Sequence, residues 1–175
     1  MALQLEPTTP VYLPSKQPVR EIRPFLKWAG GKRQLLPQLA ERFPNGIYTS
    51  QIQRYVEPFV GGGALFFYLA THFPIRQAYL ADINREVVLA YRTVQQAVEP
   101  LIEQLSRIEQ TYLALNGEAR ERYFYETRAA FNEGRQGMRW EEMGKTAVRR
   151  TAQLIFLNRT GYNGKVRGNS KGKYS

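Results

Sequence analysis

The alternation of apolar and polar positions predicts two strands and two helices in the first half of the chain. Residues 54–60 (RYVEPFV) and 78–84 (AYLADIN) are short apolar runs of strand length, and apolar residues with helical spacing follow them at 63–73 and 85–98. The order strand, helix, strand, helix within about forty residues is typical of a parallel sheet. This part of the sequence therefore predicts an α/β fold.

The second half of the chain has a different pattern. Between residues 99 and 156 the apolar spacing predicts helices only, and the last of them runs from about Arg139 to Phe156 after a loop at 132–137. The stretch from Asn158 to Ser175 is rich in Gly, Asn and Lys and contains an Asn-Gly step, which is typical of hairpin turns. We therefore expect a helical region that ends in a β-hairpin.

The N-terminal residues predict an extended segment before the first helix. Residues 1–24 hold five prolines and little apolar periodicity, which indicates a flexible arm. A helix is expected from about Lys32 to Arg42, although Pro37 disfavours a regular start. The domain prediction is thus an arm at 1–24, an α/β domain at 25–98 and a helical region at 99–175.

The composition excludes several kinds of functional site. The 175 residues contain no cysteine and one histidine, which excludes disulfides, thiolate metal sites and a cysteine nucleophile within this sequence, and we expect no metal. No apolar run approaches the roughly 20 residues of a membrane span, and the N-terminus has no apolar signal segment. We therefore expect a cytoplasmic protein with no membrane partner.

The charge is unevenly distributed. The net charge is +10, and residues 143–175 contain eight cations and no Asp or Glu. These cations are Lys145, Arg149, Arg150, Arg159, Lys165, Arg167, Lys171 and Lys173. An unopposed positive field favours a polyanion such as nucleic acid, because cations release the counterions condensed on phosphates. A solvated basic tail is the other interpretation.

The three glycines Gly61–Gly63 follow the first predicted strand and open the helix behind it. Glycines at this place let a ligand approach the backbone, where free N–H groups point outward. Asp82 lies 21 residues after Gly61, a spacing that suits hydrogen bonds to ribose hydroxyls. The run G-G-G-A is not the dinucleotide fingerprint, and Glu57 would repel a diphosphate but suit a sulfonium or amino group. S-adenosylmethionine has both groups. The alternative interpretation is a glycine turn that only packs a helix on a sheet and binds no ligand.

The segment KWAGGK, residues 27–32, also contains paired glycines. It is not a phosphate-binding P-loop, because the spacing is wrong and Arg33 follows Lys32 where Ser or Thr is required. What remains is a tight turn with Trp28 and Lys32 at a helix start. These two side chains suit an adenine and a carboxylate, although Trp28 is equally compatible with a core position.

Four segments together resemble one family. FLKWAGGKRQLL, YVEPFVGGGALF, LADIN and FLNRTGYNGKVRGNSKG are similar, in order and spacing, to DNA adenine-N6 methyltransferases of the Dam type (D12 class). The resemblance implies a Rossmann-like S-adenosylmethionine-dependent methyltransferase sheet with a helical target-recognition insertion that ends in a β-hairpin. It also implies a cofactor site for S-adenosyl-L-methionine whose residues are Trp28, Lys32, Asp82, Phe59 and Gly61. Glu57 joins this predicted site because of its charge beside the glycine loop.

The same resemblance implies double-stranded DNA as partner. In the matching hairpin Tyr162 would wedge into the duplex, Arg159 and Asn163 would lie near phosphates, and Arg167 would reach a base edge. Arginine donates two parallel hydrogen bonds to guanine, and a wedge suits an enzyme that flips its target base. The absence of cysteine disfavours cytosine-C5 methylation, whereas adenine N6 needs only orientation toward the methyl group.

The sequence departs from the family in one respect. Family members carry an Asp-Pro-Pro-Tyr motif after the hairpin, and no two prolines are adjacent in this sequence. We therefore expect the sheet to be incomplete and the hairpin truncated, with no catalytic residue in this chain and little methyl transfer by it alone. A complementing C-terminal polypeptide is the partner that this expectation implies.

The functional expectation is methyl transfer from S-adenosylmethionine to adenine N6 in duplex DNA, at a GATC-like site. Two alternatives from other classes stay open. A non-catalytic DNA-binding module would keep the basic hairpin alone, and a nucleotide-dependent oxidoreductase would use the strand, glycine, helix and acid pattern to bind NAD.

Overall fold

The computed structural model describes residues 22–28 and 32–161. Their backbone contacts divide them into two compact units. The first contains residues 22–25 and 32–83, and the second contains residues 26–28 and 84–161. The domain boundary predicted after residue 98, between the α/β domain and the helical region, stays a prediction.

The first unit has one strand–helix–strand unit at its centre. Strands β1 (Arg54–Glu57) and β2 (Gln77–Leu80) are parallel, and α3 (Ala64–His72) connects them. In their register Tyr55 lies opposite Ala78 and Glu57 opposite Leu80. The predicted order of strand, glycines, helix and strand is confirmed, in a helix-rich α/β structure whose described part contains a two-stranded parallel sheet.

The helix predicted at 32–42 is not one regular helix. A 3₁₀ helix covers Lys32–Leu35 and a short helix α1 covers Leu36–Ala40. Pro37 lies in the first turn of α1, where its missing N–H would have had no partner within the helix. An unpredicted turn of helix, α2 (Asn45–Tyr48), follows, and its four residues are too few to give a periodic signal.

Apolar packing in this unit surrounds the far end of α3. Ile47, Leu69 and Ile75 are buried together. The rings of Phe43 and Phe73 pack edge to face against one another at 5.8 Å beside this cluster. Helix α3, strand β1 and the loop before β2 are thus joined by one core.

The second unit consists of four helices within its described residues: α4 (Arg85–Gln96), α5 (Val98–Ala114), α6 (Gly117–Glu133) and α7 (Lys145–Thr160). Helix α7 packs against the other three and carries many of the buried side chains. Asn84 and Asn116 cap α4 and α6 through side-chain oxygens that accept backbone N–H groups. No helix in the described part of the chain is long and apolar enough to cross a membrane.

The bounds predicted for the last helix are wrong at both ends. Residues 139–144 are not helical, because the segment is bounded by Gly137 and Gly144 and its carbonyls at 140 and 141 accept hydrogen bonds from Arg92. At the other end α7 continues to Thr160, so Asn158 and Arg159 are helical rather than part of a hairpin. The rest of the predicted hairpin, from Tyr162 onward, lies outside the described residues.

Candidate functional site

The candidate site lies at the edge of the sheet where both parallel strands end. Beyond the strands, the N–H of Ala81 donates to the carbonyl of Glu57 at 2.8 Å, and the N–H of Val60 donates to the carbonyl of Ala81 at 2.9 Å. These bonds hold the loop after β1 beside the residues that follow β2. Carboxyl ends of adjacent parallel strands are where α/β proteins bind ligands.

Asp82 and the glycine loop are in direct contact. The N–H of Gly61 donates to Oδ2 of Asp82 at 2.8 Å. The sequence interpretation had the glycine N–H groups pointing outward, and for Gly61 this is wrong, because Asp82 accepts its hydrogen. Gly63, with φ of 77°, adopts a left-handed conformation at the start of α3. The structure thus brings Gly61 and Asp82 together, with Asp82 fixing the loop, whereas the spacing predicted only that Asp82 suits ribose hydroxyls.

Glu57 is almost fully buried, with 2% of its surface exposed. Its Oε1 contacts the ammonium of Lys32, and its Oε2 accepts the hydroxyl hydrogen of Tyr55 at 2.8 Å. Lys32 also donates to the carbonyl of Phe59 at 3.1 Å. Lys32 was expected to hold a ligand carboxylate, but in this structure it holds the carboxylate of Glu57. The two residues form one ion pair beside the loop.

Tyr55 belongs to this cluster and was not anticipated. Partial burial, the negative charge of Glu57 and the hydrogen bond to it all raise the pKa of the Tyr55 hydroxyl above its ordinary range. The signal was present in the sequence, because side chains two residues apart on a strand point to the same face.

Phe59 supplies an apolar surface next to these charges. Its side chain is 71% exposed although it lies at the start of the glycine loop. The site thus combines an exposed ring, two carboxylates, a glycine backbone and one ammonium. This combination suits a ligand with an aromatic base, ribose hydroxyls and an amino-acid end. The donor set therefore fits S-adenosylmethionine. Within the described residues no group of three or more His, Asp or Glu forms a metal site.

The second unit contains the other predicted residues that the structure describes, Trp28 and Arg159. Trp28 is partly buried, and Arg159 is exposed in the last turn of α7. Tyr162, Asn163 and Arg167 lie outside the described residues. The fully buried amide of Asn158 was not anticipated: its side chain bonds to the backbone of Lys27.

One of the eight cations counted as unopposed is in fact paired. Arg150 is buried, and its Nε and Nη2 donate to the two carboxylate oxygens of Glu86 at 2.9 and 2.6 Å. Glu86 precedes the acid-free segment by more than fifty residues, so counting charges within the segment missed it. Arg150 therefore contributes to the interior and not to a basic surface.

Comparison with known proteins finds one matching family and several relatives of this chain. Residues 28–175 match the family described as D12 class N6 adenine-specific DNA methyltransferase. The chain is 41% identical over 155 residues to the Type II methyltransferase M.MjaIII of Methanocaldococcus jannaschii, covering 89% of this chain and 51% of the relative. It is 31% identical over 159 residues to the DNA adenine methylase of Escherichia coli K12, covering 90% and 48%. The chain thus spans about half the length of these curated relatives.

Proposed function

Because the chain belongs to the D12 class of N6 adenine-specific DNA methyltransferases, we propose that it carries the methyl-donor site and part of the DNA-recognition region of such an enzyme. The proposed reaction transfers a methyl group from S-adenosyl-L-methionine to adenine N6 in duplex DNA. A GATC-like sequence is the proposed target. The proposed location is the cytoplasm.

The observation that carries the proposal is the bond from the Gly61 N–H to the Asp82 carboxylate. It joins the glycine loop of β1 to the acid after β2, and the acid can accept further hydrogen bonds because a carboxylate has about four acceptor positions. Asp82 is proposed to bind the ribose hydroxyls. Gly61 is proposed to leave room for the adenosine.

The remaining donor-site roles follow from exposure and charge. The exposed ring of Phe59 and the indole of Trp28 are proposed to pack on the ligand. Lys32 and Glu57 are proposed to bind the two charged groups of the amino-acid end, exchanging part of their mutual contact for the ligand. When bound, S-adenosylmethionine supplies an electrophilic methyl group, so this chain has to orient the donor and needs no nucleophile of its own.

The DNA-binding roles rest on the family membership. Arg159, exposed at the end of α7, and Asn163 are proposed to contact phosphates. Tyr162 is proposed to occupy the space in the stack that the flipped adenine leaves, and Arg167 to contact a base edge in the major groove. The comparisons do not support a separate complementing polypeptide, and none is proposed.

Calorimetric titration of S-adenosylmethionine into the purified chain tests the donor site. We expect micromolar binding that Asp82→Ala abolishes. Asp82→Asn is the matched control, since its side-chain oxygen still accepts from the Gly61 N–H but carries no charge. If Asp82→Asn still binds S-adenosylmethionine, the hydrogen bond from Gly61 is the more important contribution of Asp82. If both variants lose binding, the negative charge is.

Two further titrations separate the alternatives. Binding of NAD in place of S-adenosylmethionine would support an oxidoreductase and refute the proposal. Binding of a GATC duplex with no binding of S-adenosylmethionine would support a non-catalytic DNA-binding module, and Trp28→Ala should then leave DNA affinity unchanged.

A further inference from the structure

The side chain of Asn158 connects two distant parts of the sequence. Its Oδ1 accepts the backbone N–H of Lys27 at 2.7 Å, and its Nδ2 donates to the backbone carbonyl of the same residue at 2.8 Å. The two residues are 131 positions apart, and none of the surface of Asn158 is exposed. Two bonds to one residue fix both the position and the orientation of that backbone.

Each end of this contact is adjacent to a residue with a proposed binding role. Trp28, proposed for the methyl donor, follows Lys27, and Arg159, proposed for DNA phosphate, follows Asn158. Consecutive Cα atoms are about 3.8 Å apart, so each proposed binding residue lies one peptide from the contact. Trp28, Lys27, Asn158 and Arg159 all belong to the second compact unit.

The two ends differ in how firmly they are held. Asn158 lies in the last turn of a sixteen-residue helix, next to Leu157, which is fully buried. Lys27 is exposed and lies in a segment without helix or strand. The amide of Asn158 therefore holds the backbone before Trp28 in a fixed position relative to the end of α7.

We infer that Asn158 is a positioning residue that couples methyl-donor binding to DNA binding through the backbone of Lys27. The inference rests on the proposed function. DNA that fixes Arg159 at the helix end would favour the placement of Trp28 that the donor requires, and the donor would favour DNA binding by the same factor, because such coupling is reciprocal. A role only in satisfying buried polar groups would stabilise the fold without any coupling.

The experiment measures donor affinity with and without duplex in one protein. Trp28 and Trp140 are the two tryptophans of the chain, so Trp140→Phe leaves Trp28 as the only tryptophan, which is excited selectively at wavelengths that tyrosine does not absorb. S-adenosylmethionine is titrated by Trp28 emission in the absence and presence of a saturating GATC duplex, and duplex binding is followed separately by anisotropy of a labelled strand. We expect the duplex to increase donor affinity roughly fivefold or more, which is the lower range of known allosteric couplings.

Three variants in that background give the test. Asn158→Ala removes both bonds and should reduce the ratio of the two donor affinities to about one, a complete loss of the coupling defined above. Asn158→Asp keeps the acceptor for the Lys27 N–H and should restore part of the ratio. Lys27→Ala is the matched control, because the contact uses only the backbone of Lys27 and the ratio should not change.

The possible results are distinct. An unchanged ratio in Asn158→Ala would overturn the inference, as would a wild-type ratio of one with both ligands bound. If Asn158→Ala does not fold, Asn158→Asp decides by the same comparison: a ratio below that of Lys27→Ala supports the coupling, and an equal ratio refutes it. Failure of the starting protein to bind donor or duplex would refute the proposed function itself and, with it, the coupling.

Discussion

The guanidinium of Arg150 and the carboxylate of Glu86 form a two-point ion pair across 64 residues of sequence, with each side chain only 5% exposed. A third bond runs from Arg150 to the carbonyl of Phe131 at 2.9 Å. The ring of Phe131 lies 4.2 Å from the guanidinium carbon. One side chain thus joins α4, α6 and α7 in the interior of the second unit.

Replacing Arg150 by methionine should strongly destabilise the protein. The change leaves the Glu86 carboxylate buried without its partner, which costs about 3 to 5 kcal/mol in the free energy of unfolding. Urea unfolding followed by circular dichroism measures it. Arg149→Ala, an exposed neighbour on the same helix, should change the value by less than about 0.5 kcal/mol. Adding Glu86→Leu to Arg150→Met should recover much of the loss, and no recovery would contradict the explanation.

Removing the hydroxyl of Tyr55 should destabilise the first unit. Tyr55→Phe deletes the hydrogen bond to the buried carboxylate of Glu57, and bonds to charged groups contribute about 1.5 to 3 kcal/mol. Tyr48→Phe is the matched control, since its exposed hydroxyl donates to a neutral carbonyl. Equal effects of the two changes on the urea midpoint would argue against a special role for Tyr55.

The same hydroxyl predicts a loss of stability in alkali. The pKa of Tyr55 is raised in the folded protein, so above pH about 10, the ordinary pKa of tyrosine, the folded state binds more protons than the unfolded state. Its contribution is fully present below that pH and is lost as the pH rises toward the folded pKa. The difference in unfolding free energy between wild type and Tyr55→Phe should therefore shrink above pH about 10. A constant difference across this range would be inconsistent with the raised pKa.

Two exposed glycines should respond to alanine in opposite directions. A Cβ at Gly117 or at Gly137 would meet nothing within 4 Å, so steric contact does not distinguish them. Gly117 begins α6, and alanine there should stabilise by about 0.4 to 1 kcal/mol. Gly137 has φ of 78°, a conformation that costs an L-residue about 1 to 2 kcal/mol. Thermal unfolding of both variants checks the sign, and a shared sign would refute the argument.

Arg159 and Arg167 should differ in how their loss affects DNA binding. Arg159→Ala, if it removes a phosphate contact, should weaken all duplexes equally and reduce the slope of log affinity against log salt by about 1. Arg167→Ala, if it removes a base contact, should cost about 1 to 3 kcal/mol and relax the preference at one base pair. Anisotropy titrations at several salt concentrations, with GATC and permuted duplexes, distinguish the two. If Arg159→Ala instead relaxed the preference at one base pair and Arg167→Ala weakened all duplexes equally, Arg159 would be the base contact and Arg167 the phosphate contact.

Local sequence signals predicted the strands, glycines and helix that form the proposed donor site. The strand before the glycines, the helix behind them and the acid after the next strand each depend on neighbouring residues, and the bond between Gly61 and Asp82 follows from two adjacent parallel strands. Helix limits were less accurate where tertiary contacts decide them, as at 139–144, where Arg92 binds the carbonyls of a non-helical segment.

Pairings between distant residues could not be predicted. Lys32 meets Glu57 across 25 residues, Arg150 meets Glu86 across 64, and Asn158 meets Lys27 across 131. A periodic pattern shows which side chains are apolar on a face, but it does not show which buried charge or amide matches which partner. For the same reason Lys32 and Arg150, which were expected to be available to ligands, were not recognised as partners of acids in the chain.

The ion pair of Arg150 and Glu86 also sets an order of events during synthesis on the ribosome. Translation proceeds from the N-terminus, so Glu86 emerges long before the arginine that neutralises it. Strands β1 and β2, by contrast, pair residues only 23 positions apart, and short-range contacts form early because they close small loops. The first unit can therefore fold while the nascent chain is still growing, whereas α4 has to wait for α7. Until then the apolar face of α4, with Val87 and Ala90, stays exposed on the nascent chain, and such transiently exposed apolar surface is what chaperones bind.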